Sequence, residues 1–260
     1  MITVIPCAGI GSRLGVPVKE LHEVGGRPMI DYVVEVALAY GSRDLLLIIR
    51  PGKEKLAKYV AERTGARVLT IYQNEPLGTG HALSLLRGLL SGENLLYLMP
   101  DVIIRSEDED RPALPQLAGN LNERAWVYLW RTRHPEQKGC FRINAEGRVQ
   151  NHVEKQVPKW MSEIDALQVP QSRPSYLAWN AAVLTPSFVE LCADAWRHDT
   201  WRIWAERNRG SDAEFAIDDG FDLCLERGYR LTGIRANGFA QDCGTPEGIE
   251  KAEALLKGGA

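Results

Sequence analysis

The sequence predicts an α/β protein whose sheet is mixed, mostly parallel and doubly wound, in the manner of a Rossmann fold. Strand and helix signals alternate through roughly the first hundred residues, which is the pattern of parallel strands joined by crossover helices. The run DLLLIIR at 44–50 is almost wholly apolar, as in strands that helices cover on both faces. A glycine-rich turn follows the first strand, and folds of this kind bind ligands at such strand ends.

The elements of the first half follow from apolar runs and from helical spacing. An apolar run at 2–6 predicts the first strand, and apolar residues recur at helical spacing over 28–40. Amphipathic spacing over 53–64 predicts a second helix, which Pro51 and Gly52 separate from the strand at 44–50. The remaining predictions are a strand at 67–72, a helix at 81–90 and a strand at 94–99.

The second half mixes strands, a hairpin and helices. Strands are predicted at 125–131, 178–184 and 229–235, and helical segments at 187–207, 213–227 and 246–256. The segments 140–143 and 149–153 flank a turn at 144–147, which is the arrangement of a β-hairpin. The segment 158–174 has no sustained period and predicts a long loop.

Two conspicuous groups of side chains have ordinary structural explanations. The acidic run SEDEDR at 106–111 predicts a solvated turn rather than a metal site. Trp196, Trp201 and Trp204 are expected to pack against other side chains or an identical subunit, rather than to stack on bases.

Composition excludes several classes of protein. The chain has 260 residues, is 45% hydrophobic and carries a net charge of −3. It can therefore bury a large core, and neither its charge nor any basic run predicts a nucleic-acid or membrane surface. Its five cysteines lack metal-ligand spacing, and no leader or membrane span is recognisable. We therefore expect one cytoplasmic domain over residues 1–260, with reduced thiols.

The glycine-rich stretch AGIGSRLGVPVKEL at 8–21 predicts a site for a polyphosphate. Gly9 and Gly11 allow the backbone to approach an anion with its N–H groups turned inward, because glycine adopts positive φ at little cost and has no Cβ. Arg13 and Lys19 would add two positive charges, one as a planar fork and one as a mobile ammonium.

Other interpretations of this stretch fit less well. Its spacing differs from that of a dinucleotide-binding loop, and the next strand ends without an acidic residue for a ribose. It lacks the Gly-Lys-Ser/Thr ending of a Walker loop. A plain glycine turn with two solvated basic residues remains the alternative that local sequence leaves open.

Five stretches occur in the order of a known signature. They are the glycine-rich stretch with GGRPMI at 25–30, QNEPLGTGHA at 73–82, MPDV at 99–102, VEKQ at 153–156 and DCGTPEGIEKA at 242–252. This order resembles the sugar-1-phosphate nucleotidyltransferases, the family of the glucose-1-phosphate thymidylyl- and uridylyltransferases. The resemblance implies a fold of the nucleotide-diphospho-sugar transferase type, with a nucleotide-binding half at 1–105 and a sugar-phosphate-binding half at 125–245. We expect no appended β-helix.

The resemblance also implies a reaction and a metal. A sugar 1-phosphate, most readily glucose 1-phosphate, would react with UTP or dTTP to give an NDP-sugar and pyrophosphate, without a nucleophilic side chain. Asp101 and Asp242 match the aspartates that would hold Mg²⁺. Arg13 would clamp the leaving pyrophosphate, Lys19 would neutralise charge at the phosphates, and Lys155 would hold the sugar phosphate. Nucleic acid is not expected as a partner, and the sequence is compatible with a homo-oligomer.

Recognition of the base and of the sugar is implied for separate segments. The implied nucleotide contacts are Ala8, Gly9, Gly11, Ser12, Gln73, Gly78 and Thr79. The glutamine amide presents an acceptor and a donor together, which suits uracil or thymine, although a flipped amide would suit cytosine. The implied sugar contacts are Gly139, which would let the ring lie against backbone, Glu154 and Asn180.

Departures from the family pattern keep rival functions open. Val18 separates Lys19 from Pro17, where the family has a Pro-Lys pair, and this could displace the lysine. One rival is a cytidylyltransferase that uses CTP and phosphocholine or another phosphate acceptor. A second is a catalytically silent regulator that binds sugar nucleotides. A nicotinamide-dependent oxidoreductase would need the ribose carboxylate that the second strand lacks.

Overall fold

The computed structural model describes residues 1–90, 92–105, 123–132, 138–154, 176–210 and 213–258. The strands in these ranges are β1 (Ile2–Pro6), β2 (Glu23–Val24), β3 (Arg27–Pro28), β4 (Asp44–Ile49), β5 (Arg67–Tyr72), β6 (Leu95–Leu98), β7 (Val102–Arg105), β8 (Glu123–Thr132), β9 (Gly139–Ile143), β10 (Val149–Glu154), β11 (Tyr176–Leu184), β12 (Arg230–Arg235) and β13 (Phe239–Asp242). The helices are α1 (Met29–Ala39), α2 (Glu54–Thr64), α3 (Thr79–Ser84), α4 (Pro186–Arg197), α5 (Arg202–Arg209), α6 (Ile217–Glu226) and α7 (Pro246–Leu256).

Some predictions fall outside the described part of the chain. These are the acidic turn at 106–111, the loop at 158–174, Lys155, and the side chains of Glu154 and Trp204.

A mixed sheet of nine strands organises the described residues. Seven of its strands follow the order β10-β9-β11-β6-β1-β4-β5, with β8 paired to β11 and β12 paired to β8. The pairs among β6, β1, β4 and β5 are parallel, whereas β11 is antiparallel to β6, β8 and β9. The predicted α/β fold with a mixed sheet is confirmed, and the parallel pairs are concentrated in its amino-terminal half.

The two faces of the sheet are covered by different helices, as a doubly wound sheet requires. Val4 and Leu46 point into a core shared with α3, α4 and α6, whereas Ile5 and Leu45 point into a core shared with α1 and α2. Successive strand residues face opposite sides, so a continuous apolar run supplies both cores at once. This explains why the run at 44–50 lacks polar alternation.

Three helix predictions differ from the structure by more than one residue at an end. The helix predicted at 81–90 is α3, which begins at Thr79 and ends at Ser84 before a series of turns. The helical segment predicted at 187–207 is interrupted between α4 and α5, where Asp199 has a φ of 58°. The helix predicted at 213–227 begins only at Ile217, because Phe215 forms backbone hydrogen bonds with Leu77 and Gly80 instead.

The aromatic, cysteine and membrane predictions have clear outcomes where the chain is described. The Trp196 and Trp201 rings stack at 5.7 Å and belong to a cluster with Phe215, which confirms the packing prediction for these two residues. All five cysteines are buried, and none of them forms a disulfide. Among the described residues, none of the helices has the length and apolar character needed to cross a bilayer.

The topology gathers four strand ends at one edge of the sheet. Because β1, β4, β5 and β6 are parallel, the residues that follow them share the carboxyl edge. These residues are Cys7, Lys53, Gln73 and Asp101. A separate two-stranded ribbon pairs β13 with β7 and sets Asp242 opposite Val102, which brings the second predicted metal ligand to the same edge.

Candidate active site

The glycine-rich loop after β1 folds back so that Lys19 approaches its beginning. Gly11 has a φ of 75°, and a side chain there would overlap the carbonyl oxygen of Val16. A Cβ on Gly9 would lie 3.8 Å from the Cε of Lys19. Gly11 therefore favours glycine because of its backbone conformation and the close approach, whereas a Cβ at position 9 would only make an ordinary van der Waals contact with the lysine stem.

A buried ion pair lies beneath this loop. Lys53 Nζ is 2.8 and 2.9 Å from the two carboxylate oxygens of Glu20 and donates a further hydrogen bond of 2.7 Å to the carbonyl oxygen of Cys7. Both side chains are almost completely buried. The ammonium therefore joins the end of β1, the short 3₁₀ turn Lys19–Leu21 and the segment that starts α2.

Whereas Glu20 pairs with Lys53, its neighbour in the sequence, Lys19, pairs with Asp101. Its Nζ lies 2.5 Å from Asp101 Oδ2, and both side chains are mostly buried. Burial alone would lower the pKa of Lys19, but the charge of Asp101 and the hydrogen bond to it outweigh burial and raise the pKa. Lys19 is therefore a fixed cation, and Val18 does not keep it away from the predicted aspartate.

Asp101 and Asp242 converge on Gly244. A Cβ on Gly244 would lie 3.0 Å from Asp242 Oδ1 and 3.1 Å from Asp101 Oδ2, so the missing side chain leaves space between the carboxylates. The backbone N–H of Gly244 donates to Asp242 Oδ1 over 2.7 Å. Lys138 Nζ lies 3.5 Å from Asp242 Oδ2, so each carboxylate has its own lysine.

This pair of carboxylates suits a small divalent cation. Mg²⁺ is commonly held by one or two carboxylates, with phosphates and water at its other positions. The described residues contain no group of three or more His, Cys, Asp or Glu side chains placed to bind a metal. Ligands beyond the two aspartates would therefore have to come from a substrate, from water or from the undescribed segments.

Gln73 is held by two partners. Its Nε2 donates 2.9 Å to the carbonyl oxygen of Gly78 and lies 2.8 Å from His81 Nδ1. Because the carbonyl can only accept, the nitrogen must face it, and His81 Nδ1 must then accept the second N–H. Burial lowers the pKa of His81, which favours the neutral ring that this arrangement needs.

The segment after Gln73 packs tightly against the start of α6. A side chain on Gly78, whose φ is 96°, would overlap the carbonyl oxygen of Phe215. The Thr79 hydroxyl accepts a hydrogen bond of 3.0 Å from the backbone N–H of Ile217. Gly78 and Thr79 thus have structural roles, and their contact with a nucleotide stays a prediction.

Part of the glycine-rich loop is exposed to solvent. Ala8 is buried at the end of β1, whereas Gly9, Ser12 and Arg13 are exposed. An exposed arginine at the mouth of the loop is compatible with the predicted pyrophosphate clamp, which remains a prediction.

The predicted sugar contacts lie on three neighbouring strands. Gly139 of β9 is directly opposite Glu154 of β10. Asn180 is buried on β11, at the shift in register between Trp179 and Ala181. Bulges of this kind turn a side chain out of the regular alternation. A side chain on Gly139 would overlap Asp218 Oδ1 and would lie 2.8 Å from Trp179 Nε1, so protein atoms also require glycine there.

Sequence reasoning missed several residues that complete this site. His81 and Lys138 each hold a predicted residue, Lys53 holds Glu20 beside the predicted Lys19, and Asp218 fills the space beside Gly139. Lys138 directly precedes the predicted Gly139, and His81 lies inside the second signature stretch. The position of each residue in the sequence could therefore have indicated that it belongs to the site. Lys53 and Asp218 gave no local signal.

Comparison with known proteins identifies similar chains. A family model described as "Nucleotidyl transferase" matches residues 3–257. The UTP–glucose-1-phosphate uridylyltransferase AglF of Haloferax volcanii is 24% identical over 99% of this chain and 97% of its own length. The low-salt glycan biosynthesis nucleotidyltransferase Agl11 of the same organism is 24% identical over 97% of this chain.

The lengths of the relatives differ. The chain spans 65% of Agl11, and it spans between 21% and 51% of several bifunctional GlmU proteins that it also matches. Among solved structures, a UDP-glucose pyrophosphorylase complexed with UDP-glucose superposes with a TM-score of 0.73 at 20% identity, over 100% of this chain and 99% of that one. At this identity the superposition establishes the fold.

Replacing Lys53 is expected to destabilise the protein. Lys53→Met should lower the free energy of unfolding by about 3–5 kcal/mol, because it leaves the Glu20 carboxylate buried without its partner. Combining it with Glu20→Leu should restore most of this loss, since no buried charge then remains. Chemical denaturation followed by circular dichroism measures both.

Lys58→Met is the matched control, because Lys58 pairs with Glu62 on an exposed helix surface and such pairs contribute at most about 1 kcal/mol. Equal stability of Lys53→Met and Lys58→Met would contradict the role assigned to the buried pair.

Proposed function

Because the chain belongs to the nucleotidyl transferase family, we propose that it transfers a nucleotidyl group from UTP or dTTP to a sugar 1-phosphate, with glucose 1-phosphate as the preferred acceptor. The products are an NDP-sugar and pyrophosphate. The observation that carries this proposal is the convergence of Lys19, Lys138, Asp101 and Asp242 around Gly244. The function in the name of the relative AglF supports the same reaction.

The reaction needs charge and alignment rather than a protein nucleophile. A phosphate oxygen of the sugar 1-phosphate attacks the α-phosphorus, and the bond from that phosphorus to the oxygen bridging to the β-phosphate breaks. Pyrophosphate leaves with the electron pair. Cations placed beside the phosphates stabilise the charge that develops. Lys19 has this role in the proposal, with Arg13 on the pyrophosphate and Lys155 on the sugar phosphate.

Mg²⁺ is the proposed cofactor, with Asp101 and Asp242 as its protein ligands. The two carboxylates fit this role because a glycine keeps the space beside both of them clear. When bound, Mg²⁺ would supply positive charge to the phosphates of the triphosphate. The lysine beside each aspartate limits repulsion between the carboxylates before the ion arrives.

The Gln73 amide favours bases that carry a central N–H group. Both of its N–H groups are used inside the protein, so its carbonyl oxygen is the group proposed to face the base. Uracil and thymine present N3–H to such an acceptor, whereas cytosine presents an acceptor at N3. A flipped amide would set two acceptors against each other at Gly78. The fixed amide therefore favours uridine or thymidine over cytidine.

The proposed reaction is tested by pyrophosphate release with Mg²⁺. ATP, GTP, CTP, UTP and dTTP are each combined with glucose 1-phosphate, other sugar 1-phosphates and phosphocholine. We expect release with UTP or dTTP and a sugar 1-phosphate, and we expect Asp101→Asn and Asp242→Asn to abolish it without unfolding the protein, because each removes one charge from the metal site. Lys251→Met, which removes an exposed helix charge, is the control.

Release that requires CTP and phosphocholine would instead identify a cytidylyltransferase. No release in any combination, together with tight binding of an NDP-sugar in calorimetry, would overturn the proposed reaction in favour of a regulatory binder. Full activity of a folded Asp101→Asn, Asp242→Asn double variant would overturn the metal assignment.

Nucleotide binding is expected to weaken at acidic pH. Protonated His81 cannot accept from Gln73. Burial lowers the pKa of His81, so the KM for the triphosphate should rise only as the pH falls through this lowered pKa, below the ordinary histidine value of about 6.5. His81→Asn is the matched variant, because its Oδ1 can accept from the amide but does not titrate. In His81→Asn, the KM for the triphosphate should retain only the pH dependence that comes from ionisation of the phosphates. Identical pH profiles of the two proteins would contradict the role of His81.

A further inference from the structure

A buried ionic cluster lies behind the predicted sugar contacts. His152 of β10 is enclosed between two carboxylates of α6, with Nδ1 2.8 Å from Asp222 Oδ1 and Nε2 3.1 Å from Asp218 Oδ1. Both ring nitrogens face acceptors, so both carry a proton. Burial alone would lower the pKa of His152, but the charges of Asp222 and Asp218 and the hydrogen bonds to them outweigh burial and raise the pKa to about 10.

The cationic ring is what allows the two aspartates to be neighbours. Asp218 and Asp222 are one turn apart on α6, where like charges repel. Aromatic rings of Phe141 and Phe221 enclose the imidazole at centroid distances of 4.5 and 6.2 Å. The cluster is therefore an internal tie between an edge strand and a helix, not a surface ion pair.

Asp218 extends this tie to two further strands. Its Oδ1 also accepts a hydrogen bond of 2.9 Å from Trp179 Nε1 on β11. The same oxygen occupies the space that a side chain on Gly139 of β9 would take. One carboxylate oxygen therefore touches β9, β10 and β11.

Each of these strands carries one predicted sugar contact close to the cluster. Gly139 is itself in contact with Asp218. Glu154 lies two residues after His152 and opposite Gly139 in the β10–β9 register. Asn180 directly follows Trp179, at the bulge of β11.

We propose that His152 and Asp218 are positioning residues for the sugar 1-phosphate, because they hold the ends of β9, β10 and β11 in one arrangement. This inference rests on the proposed function. The cluster lies on the sugar side, whereas Lys53 and His81 secure the nucleotide side. Its loss therefore weakens use of the sugar 1-phosphate and leaves use of the triphosphate largely unchanged.

The test measures the two KM values separately by pyrophosphate release, with UTP or dTTP and the preferred sugar 1-phosphate. His152→Leu is expected to raise the KM for the sugar 1-phosphate about tenfold, with the KM for the triphosphate changed less than about twofold. The KM of His152→Gln for the sugar 1-phosphate should lie between those of the unmodified protein and His152→Leu, because its amide can still donate to Asp218. Trp179→Phe keeps an aromatic ring but removes the indole N–H together with part of the ring volume, and it should raise the same KM.

Leu223→Ala is the matched control, because Leu223 is buried on α6 beside Asp222 but is not part of the cluster. It should lower the melting temperature and leave both KM values unchanged. If His152→Leu does not fold, His152→Gln and Trp179→Phe decide the question.

Unchanged sugar-phosphate KM in folded His152→Gln and Trp179→Phe would overturn the inference. So would a parallel rise of both KM values in Leu223→Ala and the cluster variants, since the effect would then follow stability alone. Absence of turnover in the unmodified protein would overturn the proposed function together with this inference. Turnover with an unaltered KM for the sugar 1-phosphate in the cluster variants would overturn this inference alone.

Discussion

The buried ion pair of Lys53 and Glu20 is the interaction on which the proposed nucleotide side of the site depends. It joins the end of β1, the turn that carries Lys19 and the start of α2 through a single ammonium group. Removing two charges from water costs about as much as their attraction returns, so the pair adds little net stability. Its contribution is to fix the positions of the three segments that it joins. Because Glu20 is fixed inward, its neighbour Lys19 is directed toward Asp101.

The proposed sugar side has a comparable construction. There, the buried ionic group is His152 with Asp218 and Asp222, and the three strands that it joins carry the predicted sugar contacts. In both halves, buried ionic side chains join the segments that carry residues predicted to contact substrate. Lys138 connects the halves, because it directly precedes Gly139 and its ammonium reaches Asp242. Preorganisation of this kind reduces the reorganisation needed when charge develops.

Local patterns in the sequence predicted much of this structure. The apolar run at 44–50 predicted a strand covered on both faces, and α7 has the predicted bounds of 246–256. Patterns could not reveal partners far apart in the chain, such as Glu20 with Lys53, or His152 with Asp218. The break after α4 was also hidden, because it depends on the positive φ of Asp199 rather than on a glycine or proline. The resemblance named Gly139 as a sugar contact, and only the structure revealed that Asp218 fills its side-chain space.

The described thiols next to the site are not suited to nucleophilic attack. Burial and the nearby Glu20 carboxylate raise the pKa of Cys7, and burial with the charges of Asp242 and Asp101 raises that of Cys243 to about 12. Both therefore stay protonated, which agrees with the proposed direct displacement by the acceptor phosphate. The most direct measurement is the configuration at the α-phosphorus of the NDP-sugar made from a triphosphate with sulfur in place of one non-bridging α-oxygen. Inversion is the predicted result, whereas retention would require a covalent nucleotidyl–enzyme intermediate and would contradict this mechanism.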